Sequence, residues 1–483
     1  MIISRAILGS TLLLLILTLS MNVFASSHDS MDLTQVITLL REQQQEMAQQ
    51  RKLIEAQSGQ IAILKQEVSN LQGDSLVSTS VPAAVDALPP VKASTRQEQD
   101  VETGKSVATA QVDDPTKALL NDFSGAWSIP GTNAVLGIGG YVKSSVVYNN
   151  DPLEIKDRFI VGSIPVDDAS AANAEAQSSI TASQSRLNFD MHEATDVGLL
   201  RAFIEGDFAE ENDTFRLRHA FGQWRRVLAG KTWSAFVDTE ASPEEVDFEG
   251  LNGRINVRQS QVRIMPRYGS DYEFQFSIED PNPQIQNGQG VTRMPDLIAN
   301  GRFQPHDHLH LKMALLLRQI RGQQDPDFGT GVDKAYAWGV SVSGRFSTPQ
   351  LDERDSLLFQ LNGGNGIGRY VNDLSSIGNY DGIFNPNTGQ LKLFDVLAGY
   401  VSWQHWWSGT MRSNFTIGMV YVDNPGFVED SAYQQTRRIS SNLLWTPTPR
   451  INLGMEFLWG VRENESGDDG KATQIQLSAQ YNF

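Results

Sequence analysis

Residues 474–483 read QIQLSAQYNF, and this final stretch decides the fold class. Ile475, Leu477, Tyr481 and Phe483 share one parity, whereas polar residues occupy the alternate positions. Because successive side chains of a β-strand point to opposite faces, this pattern predicts a strand with one apolar and one polar face. A chain that ends on such a strand needs a partner strand for its backbone and a cover for its apolar face.

The composition limits the classes of protein to which the chain can belong. It has 483 residues, a formal net charge of −18 and no cysteine. The negative charge argues against nucleic acid as a partner. The lack of cysteine excludes disulfides, zinc–thiolate sites and thiol catalysis. No run of about 18 apolar residues follows residue 25, which excludes helical membrane spans beyond the N-terminus.

Residues 1–25 have the features of a secretory signal peptide. Arg5 precedes an apolar stretch that ends at Leu19, and Val23 and Ala25 provide small residues before a cleavage site. The sequence therefore predicts cleavage after Ala25. A retained membrane anchor is the alternative, but the apolar stretch is short for a membrane span.

Residues 26–72 predict a coiled-coil trimerisation segment, because apolar residues recur every seven positions. The predicted core positions are Leu33, Leu40, Met47, Ile54, Ile61 and Val68. A single solvated helix is the alternative, although it does not explain the unbroken apolar row. Residues 73–122 are rich in Ser, Thr, Ala, Val and Pro and predict a flexible linker.

Residues 123–483 predict an all-β transmembrane barrel. Segments of about ten residues alternate in polarity, and short turns alternate with long loops between them. Counting the segments gives about sixteen antiparallel strands, and the last would pair with the first near residues 134–148. Four tryptophans flank short turns, where an aromatic girdle would lie: Trp403, Trp406, Trp407 and Trp445. A soluble β-sandwich or propeller is the alternative, but no blade-length repeat is visible.

Arginines fall inside many of the predicted strands. A charge that faces lipid at mid-depth costs about 2–4 kcal/mol, so strand arginines should face the lumen. Six are predicted to line the pore and bind anions: Arg201, Arg216, Arg218, Arg254, Arg258 and Arg263. In this interpretation the residues that face lipid include Phe215, Leu217, Phe221, Ile255 and Val257, and a bulge near residues 259–261 restores the alternation. Guanidinium groups offer paired donors that suit carboxylates and phosphates.

An acidic segment, PEEVDFE at 243–249, lies between the arginine-bearing segments. Its acids are Glu244, Glu245, Asp247 and Glu249. A loop folded into the barrel here would narrow the pore, and its acids would face the arginines and set a transverse field. Alternatively, the arginines only hold the loop in place through ion pairs. Both interpretations remain open.

Three histidines alternate at the end of a predicted strand, namely His306, His308 and His310. Alternate residues share a face, which is one arrangement that binds metal ions. They also lie at a predicted short turn, where polar residues are ordinary. The sequence predicts no metal, no cofactor and no catalytic residue, because no Ser–His–acid spacing favours an enzyme such as a barrel phospholipase.

Four segments together resemble the DcaP-like family of Gram-negative outer-membrane porins. They are LRHAFG at 217–222, LAGKTWSAF at 228–236, PEEVDFEG at 243–250 and VRQSQVR at 257–263. The resemblance implies a trimer of sixteen-stranded barrels, a periplasmic coiled coil and a pore that favours small anions, notably dicarboxylates. It also implies that Arg218, Arg258 and Arg263 face inward. Lys231 stands where the resemblance leads us to expect an uncharged polar residue.

The sequence thus predicts a homotrimeric porin for passive diffusion of small anions, located in the Gram-negative outer membrane with its coiled coil in the periplasm. Predicted partners are outer-membrane lipid and lipopolysaccharide, small anionic solutes, and the barrel-assembly machinery through the strand that ends at Phe483; nucleic acid is not among them. Two alternatives stay open. One is a non-selective structural porin, and the other is an envelope-tethering protein whose coiled coil binds peptidoglycan or a periplasmic partner.

Overall fold

The structure is a computed structural model, and it describes residues 125–151, 153–166, 176–348, 352 and 354–483. The predicted signal peptide, coiled coil and linker lie outside the described residues. The six predicted coiled-coil core positions lie outside them as well, so the predictions for residues 1–122 remain predictions.

In the part of the chain that the structure describes, sixteen antiparallel strands form the wall of a closed barrel. They are β1 (Ala134–Asn149), β2 (Arg186–Thr195), β3 (Gly198–Asp207), β4 (Arg216–Trp224), β5 (Val227–Trp233), β6 (Arg258–Ile264), β7 (Tyr272–Glu279), β8 (Asp296–His306), β9 (Leu309–Gln324), β10 (Val332–Ser347), β11 (Ser356–Asn365), β12 (Asp395–Trp406), β13 (Met411–Asp423), β14 (Tyr433–Thr448), β15 (Ile451–Asn464) and β16 (Asp469–Asn482). The predicted barrel of about sixteen antiparallel strands is confirmed.

The terminal strand closes the barrel as the sequence predicts. β16 pairs with β1 in an antiparallel register that runs from Tyr141 opposite Asn482 to Asn149 opposite Gln474. Leu477 is 48% exposed on the outside, whereas Gln476 is fully buried on the inside. The final strand therefore has β1 as its backbone partner, an outer face for its apolar residues and the inside of the barrel for its polar residues.

Short turns join the strands at one end of the barrel, and most of the long connections lie at the other end. The short turns include 196–197, 225–226, 307–308 and 449–450, and the long connections include 150–185, 234–257, 280–295 and 366–394. Tryptophans flank the short turn at 407–410: Trp403 stacks on Phe415 with ring centroids 5.7 Å apart, and Trp407 is exposed. This placement suits residues at a membrane–water interface.

Shorter elements supplement the wall. Two-residue to five-residue strands pair with β1 (Trp127–Ser128 and Gln177–Thr181), with β7 (Arg267–Tyr268) and with β9 (Gly288–Gly290). A separate small sheet joins Ile285–Gln286, Gly382–Phe384 and Leu391–Leu393. Within the described residues, the helical elements are the short helix α1 (Asn372–Ile377) and the 3₁₀ turns Val161–Ser163, Glu211–Asp213 and Gly368–Tyr370.

The long connections fold back into the barrel and fill part of its lumen. Phe236, Tyr370 and Leu374 from two of these connections are fully buried, and they pack against inward residues of the wall such as Leu316 and Val420. Burial of this apolar cluster stabilises the folded loops. The part of the lumen bounded by β8–β13 is therefore occupied by protein.

None of the helices in the described residues has the length and the apolar character needed to cross a membrane.

Candidate functional site

The connection 234–257, here called the constriction loop, runs inside the barrel along much of the wall. Backbone carbonyls of its first half accept hydrogen bonds from inward side chains of successive strands. Ala235 O accepts from Asn300 Nδ2 at 2.7 Å, and Ala241 O accepts from Tyr400 Oη at 3.0 Å. Because each contact satisfies a buried polar group, the wall fixes the path of the loop.

The second half of the loop comes close to the wall at β12 and β13. A Cβ atom on Gly253 would lie 2.4 Å from the carbonyl oxygen of Gly399 and 2.6 Å from that of Met419. Only glycine allows this approach, because any side chain would overlap the backbone of β12 and β13. Asn362 Nδ2 donates to Gly253 O at 2.9 Å and secures the contact.

Residues 252–257 do not form the strand that the alternation indicates. They belong to the constriction loop, and β6 begins only at Arg258. Ile255 was predicted to face lipid, but it is 2% exposed and bridges Val371 inside the barrel. Val257 also packs against the internal apolar cluster. The predictions for these two residues are wrong. Apolar and polar residues alternate here because the loop packs one of its faces against the internal apolar cluster, and this alternation resembles that of a lipid-facing strand.

The acids of the loop bind the wall opposite the predicted arginines. Glu244 Oε1 accepts from Arg412 Nη2 at 2.5 Å, and Glu245 Oε1 accepts from Arg438 Nη1 at 2.5 Å. Asp247 lies 3.3 Å from the same Arg438 guanidinium. The expectation that these acids face the arginines of the 201–263 segment is therefore corrected, because Arg412 on β13 and Arg438 on β14 neutralise them.

A buried carboxylate reinforces this attachment. The backbone amides of Val246 and Asp247 both donate to Glu456 Oε2 at 2.7 Å, and Lys143 Nζ donates to Val246 O at 2.9 Å. A buried donor or acceptor that lost its partner would be costly, so these hydrogen bonds hold the loop in place. The acidic tip is thus held by β1, β14 and β15 together.

The fourth acid, Glu249, differs in its surroundings. Its side chain accepts a hydrogen bond from Ser376 Oγ, and its backbone carbonyl accepts from Arg254 Nη2 at 3.1 Å. Burial raises the pKa of Glu249, and the Ser376 hydrogen bond and nearby Arg158 oppose that effect. The sequence predicts Arg254 on a strand of the wall. In the structure it lies on the constriction loop instead.

Three predicted arginines face inward on β3 and β4, and each binds carboxylates of the same wall. Arg201 makes a two-pronged contact with Asp190, with both N···O distances at 2.9 Å. Arg216 binds Asp207 in the same way, again at 2.9 Å, and Arg218 Nη1 lies 2.7 Å from Asp207. We call Arg201, Arg216 and Arg218 the arginine wall.

A bulge in β4 explains why Arg218 and His219, which are adjacent in the chain, both face inward. The register between β3 and β4 shifts so that Glu205 pairs with His219 and Gly206 with Leu217, which makes Arg218 the extra residue of the bulge. Arg218 still turns inward, towards Glu205 at 3.2 Å. The shift also reverses Phe221, which was predicted to face lipid but is 5% exposed and packs against Phe203 inside.

The arginines of β6 do not share a face. Its register with β5 is continuous from Arg258 to Ile264, so the predicted bulge near residues 259–261 is absent from this described segment. Arg263 is buried and donates to Gln261 and Gln275, at 2.9 and 3.0 Å. Arg258 has the parity of Val262, and its guanidinium lies 3.5 Å from the centroid of the Trp233 ring. The predicted inward direction of Arg258 is therefore corrected.

An aromatic residue of the constriction loop meets the arginine wall. The Phe248 ring lies within 6.0 Å of three guanidinium carbons, those of Arg158, Arg216 and Arg218. Arg216 keeps 30% of its side chain exposed. Since Glu244, Glu245 and Asp247 are bound by Arg412 and Arg438, guanidinium groups and an aromatic ring border the lumen at this point.

The comparisons with known proteins agree with this architecture. The sequence profile of the DcaP outer membrane protein family matches residues 139–483. The chain belongs to this family. No curated protein matches the sequence.

The solved structures that are similar to this DcaP family member include an outer membrane channel and a porin. The crystal structure of the outer membrane channel DcaP of Acinetobacter baumannii is 20% identical, covers 74% of this chain and 100% of its own, and superposes with a TM-score of 0.64. An anion-selective porin from Comamonas acidovorans is 10% identical, covers 72% of this chain and 100% of its own, and has a TM-score of 0.51. At these identities the likeness shows the fold alone.

Family and fold make this DcaP family member a channel protein of the Gram-negative outer membrane. The family and the fold are those of channel proteins and not of enzymes.

The three histidines do not form a cluster. His306 and His308 lie at the exposed turn between β8 and β9, whereas His310 turns inward and binds Asp238 at 2.8 Å. In the described residues no group of three or more His, Cys, Asp and Glu side chains is arranged to hold a metal ion.

Sequence reasoning missed several residues that shape the lumen. Arg412 and Arg438 lie in strands whose alternation is readable, so the rule that strand arginines face inward could have found them. The carboxylates Asp190, Glu205 and Asp207 were also overlooked, although each stands on the inward parity of its strand. The sequence gives no signal for which arginine pairs with which acid, because that depends on the inter-strand register.

Proposed function

We propose that this channel lets small anions, dicarboxylates in particular, diffuse passively along the arginine wall. The observation that carries the proposal is a separation of charge. Glu244, Glu245 and Asp247 are bound by Arg412 and Arg438 on the far wall, whereas Arg216 keeps an exposed guanidinium beside Phe248. An anion that enters the lumen therefore meets positive side chains before it meets unpaired carboxylates.

The arginines form a series and not a single site. Arg216 pairs with the end of β3 at Asp207, whereas Arg201 lies six residues earlier on that strand, which is a separation of roughly 20 Å. Each guanidinium already binds a carboxylate of the wall, so a passing carboxylate must share its donors. Contacts of this kind are modest, and several modest contacts in series allow a solute to leave as well as to enter.

A guanidinium fork suits a dicarboxylate because each carboxylate can accept two parallel N–H donors. Two arginines that face one passage can bind both ends of the same solute. The name of the Comamonas acidovorans structure, an anion-selective porin, is in line with this proposal. We propose Arg201, Arg216, Arg218, Arg254 and Arg263 as the anion-binding residues.

We further propose that the chain acts as a homotrimer held by the coiled coil of residues 26–72 in the periplasm. The strand that ends at Phe483 would be recognised by the barrel-assembly machinery. The apolar outer face would contact lipid and, in the outer leaflet, lipopolysaccharide. Trimer formation is supported by the heptad pattern and by the DcaP family membership.

Reversal potentials in planar bilayers, across a gradient of a dicarboxylate salt, test the anion pathway. The variant in which Arg201, Arg216 and Arg218 are replaced by Gln should lose most of its anion preference. The control replaces Arg354, Arg437 and Arg450, which are exposed away from the lumen, and it should keep that preference. A wild-type channel that is cation-selective, or a triple variant that behaves like the control, would overturn the proposal.

A further inference from the structure

Two cations face each other on the outer surface of β9 and β10. Arg321 on β9 is the register partner of Lys334 on β10. Arg321 has the outward parity of Leu317, which is 50% exposed, and Lys334 has that of Tyr336, which is 72% exposed. Like charges that lie directly opposite each other across an antiparallel pair destabilise it. The pair is therefore costly unless an anion offsets the repulsion.

A third cation approaches this pair from the connection 280–295. The amide of Val291 donates to the carbonyl oxygen of Arg321 at 2.8 Å, and the exposed Arg293 lies two residues farther along the chain. We call Arg293, Arg321 and Lys334 the outer cation cluster. Within the described residues, none of the three side chains forms an ion pair.

The nearest acids in the sequence do not neutralise the outer cation cluster. The carboxylate of Asp333 accepts a hydrogen bond from the amide of Leu391 at 2.9 Å, so it is bound to another connection. Asp325 and Asp327 lie in the loop that joins β9 to β10, and neither forms an ion pair with the cluster in the described part of the chain. The positive charge is therefore presented to the surroundings.

The cluster lies at the level of the extracellular headgroups. Arg321 is twelve residues past Leu309, the residue at which β9 leaves its short turn. On a tilted strand this is a rise of roughly 30 Å, against an apolar band of about 25 Å. Tyr336 and Trp338 follow Lys334 on the same outward face, as in the aromatic girdle of a barrel.

An apolar groove of about 380 Å³ opens on the outer face below the cluster, lined mainly by β7, β8 and β9. Ala299 forms its floor, because its register partners on either side are the larger Phe276 and Leu315. Leu317 also lines the groove and lies four residues before Arg321 on the same face of β9. An apolar chain in this groove would have its polar end at the cations.

Other outward cations near the extracellular end of the wall have acids beside them. Arg437 on β14 pairs with Glu463 at 3.2 Å, and Lys471 on β16 pairs with Asp469 at 2.7 Å. These two cations also lie close together, since both are register partners of Val461 on the strand between them. Because each has its own carboxylate, neither needs an anion from outside the chain.

We infer that the outer cation cluster and the groove below it form a binding site for one phosphorylated glycolipid of the outer leaflet, that is, lipopolysaccharide. The cations bind its phosphate, and the groove holds one of its acyl chains. The inference rests on the outer-membrane location and the general lipid contact proposed above, and it goes beyond them by assigning a specific site. A guanidinium group can donate two parallel hydrogen bonds to a phosphate, and the lysine adds a compact charge.

Ordinary interfacial cations are the competing explanation, because long basic side chains also extend to the headgroups of unselected lipids. Such residues do not have to lie directly opposite each other, and no apolar groove has to end beside them. A site for free phosphate is a second alternative. It would use the cations and leave the groove without a role. The charge and the acyl chain of the ligand are therefore tested separately.

The first experiment titrates the purified full-length protein with bis-phosphorylated lipid A in mild detergent and counts bound lipid by native mass spectrometry. The double variant Arg321→Gln, Lys334→Gln should bind several-fold more weakly than the wild type, and addition of Arg293→Gln should weaken binding further. The control Arg437→Gln, Lys471→Gln removes the same charge at the same end of the barrel and should bind like the wild type. Equal binding by the two double variants would overturn the inference. Heat-dependent gel mobility shows that each barrel has folded.

The ligand is varied next. Lipid A without its phosphates should bind the wild-type protein several-fold more weakly than the bis-phosphorylated form. Inorganic phosphate at an equal concentration should not displace the bound lipid. Equal binding of the two forms of lipid A would indicate unselective interfacial cations, and displacement by inorganic phosphate would indicate a free-phosphate site. Either result would overturn the inference.

The groove is tested by filling its floor. Ala299→Leu should weaken the binding of bis-phosphorylated lipid A several-fold, because the new side chain occupies the place of the acyl chain. Val401→Leu is the control, since Val401 faces outward on β12, 48% exposed, and does not line the groove. Equal binding by these two variants would overturn the placement of the acyl chain.

The reversal potential of the same proteins keeps this inference separate from the proposed anion pathway. The double variant Arg321→Gln, Lys334→Gln should keep the anion preference of the wild type, because both side chains lie outside the lumen. Loss of that preference with undiminished binding of lipid A would overturn the glycolipid site. A wild-type channel without anion preference that still binds bis-phosphorylated lipid A selectively would count against the anion pathway alone.

Discussion

Arg438 of the barrel wall and Glu245 of the constriction loop are joined by a hydrogen bond of 2.5 Å between Nη1 and Oε1. The arginine is fully buried and also lies 3.3 Å from Asp247. A buried guanidinium that binds two carboxylates is costly to disturb, because loss of one partner leaves the others unpaired in a region of low dielectric. This contact therefore fixes the loop and hides its negative charge.

Replacement of Arg438 by Gln should release the acidic tip of the loop. The expected cost to stability is about 3–5 kcal/mol, which is typical when one member of a buried ion group is removed. The freed acids should also reduce anion preference and make single-channel currents noisier. Thermal unfolding and bilayer recordings measure these effects.

The neighbouring arginine provides a matched control. Arg437 lies on the outer face of the same strand, where its side chain is 52% exposed and pairs with Glu463. Arg437→Gln removes the same charge and should leave currents and thermal unfolding close to those of the wild type. Equal effects of the two variants would show that Arg438 does not hold the loop.

Replacement of Gly253 by Ala tests the close approach of the loop to β12 and β13. The new Cβ would lie 2.4 Å from Gly399 O, so the loop must move away from the wall and towards the lumen axis. Single-channel conductance should therefore fall. Gly426→Ala is the control, because nothing lies within 4 Å of its added Cβ. Unchanged conductance in Gly253→Ala would contradict the described path of the loop.

Replacement of Asp207 by Asn should have opposite effects on stability and on selectivity. Asp207 is fully buried and accepts hydrogen bonds from both Arg216 and Arg218. Loss of its charge leaves two guanidinium groups less compensated, which destabilises the barrel but strengthens the attraction of the lumen for anions. The reversal potential should shift towards the anion limit while the unfolding temperature falls.

Asp469→Asn makes the same charge change on an exposed residue beside Lys471 and serves as the control. It should alter neither quantity. If Asp207→Asn left the reversal potential unchanged, the charge of the arginine wall would not govern selectivity, and the non-selective alternative would gain support.

The alternation of polarity was sufficient to predict the wall of the barrel. Strands such as β16 and β15 must face lipid on one side and the lumen on the other, so the polarity of each residue indicates which way its side chain points. The same rule failed between residues 252 and 257. There Ile255 packs against Val371 inside the lumen, and a sequence cannot distinguish an apolar loop core from lipid.

The candidate site was only partly predictable for a related reason. The bulge at Arg218 adds one residue to β4 and reverses the direction of Phe221, yet nothing in the local sequence marks it. The partners of the loop acids, Arg412 and Arg438, are about 170 and 190 residues away in the chain. Contacts of that range depend on strand register and loop path, neither of which leaves a local pattern.

The acidic residue Glu249 should make anion preference depend on pH. Burial raises its pKa above the ordinary value of 4.5, so it takes up a proton at a higher pH than an exposed glutamate. Protonation removes a negative charge beside Arg158 and Arg254. Anion preference should therefore increase as pH falls from neutrality towards 4.5, before ordinary glutamates are titrated.

A chloride gradient is the appropriate probe, because dicarboxylates would themselves be protonated over this range. Glu249→Gln should show the higher preference at every pH and lose the dependence. A wild-type reversal potential that stays constant over this range would contradict the assignment, and so would a dependence that survives in Glu249→Gln.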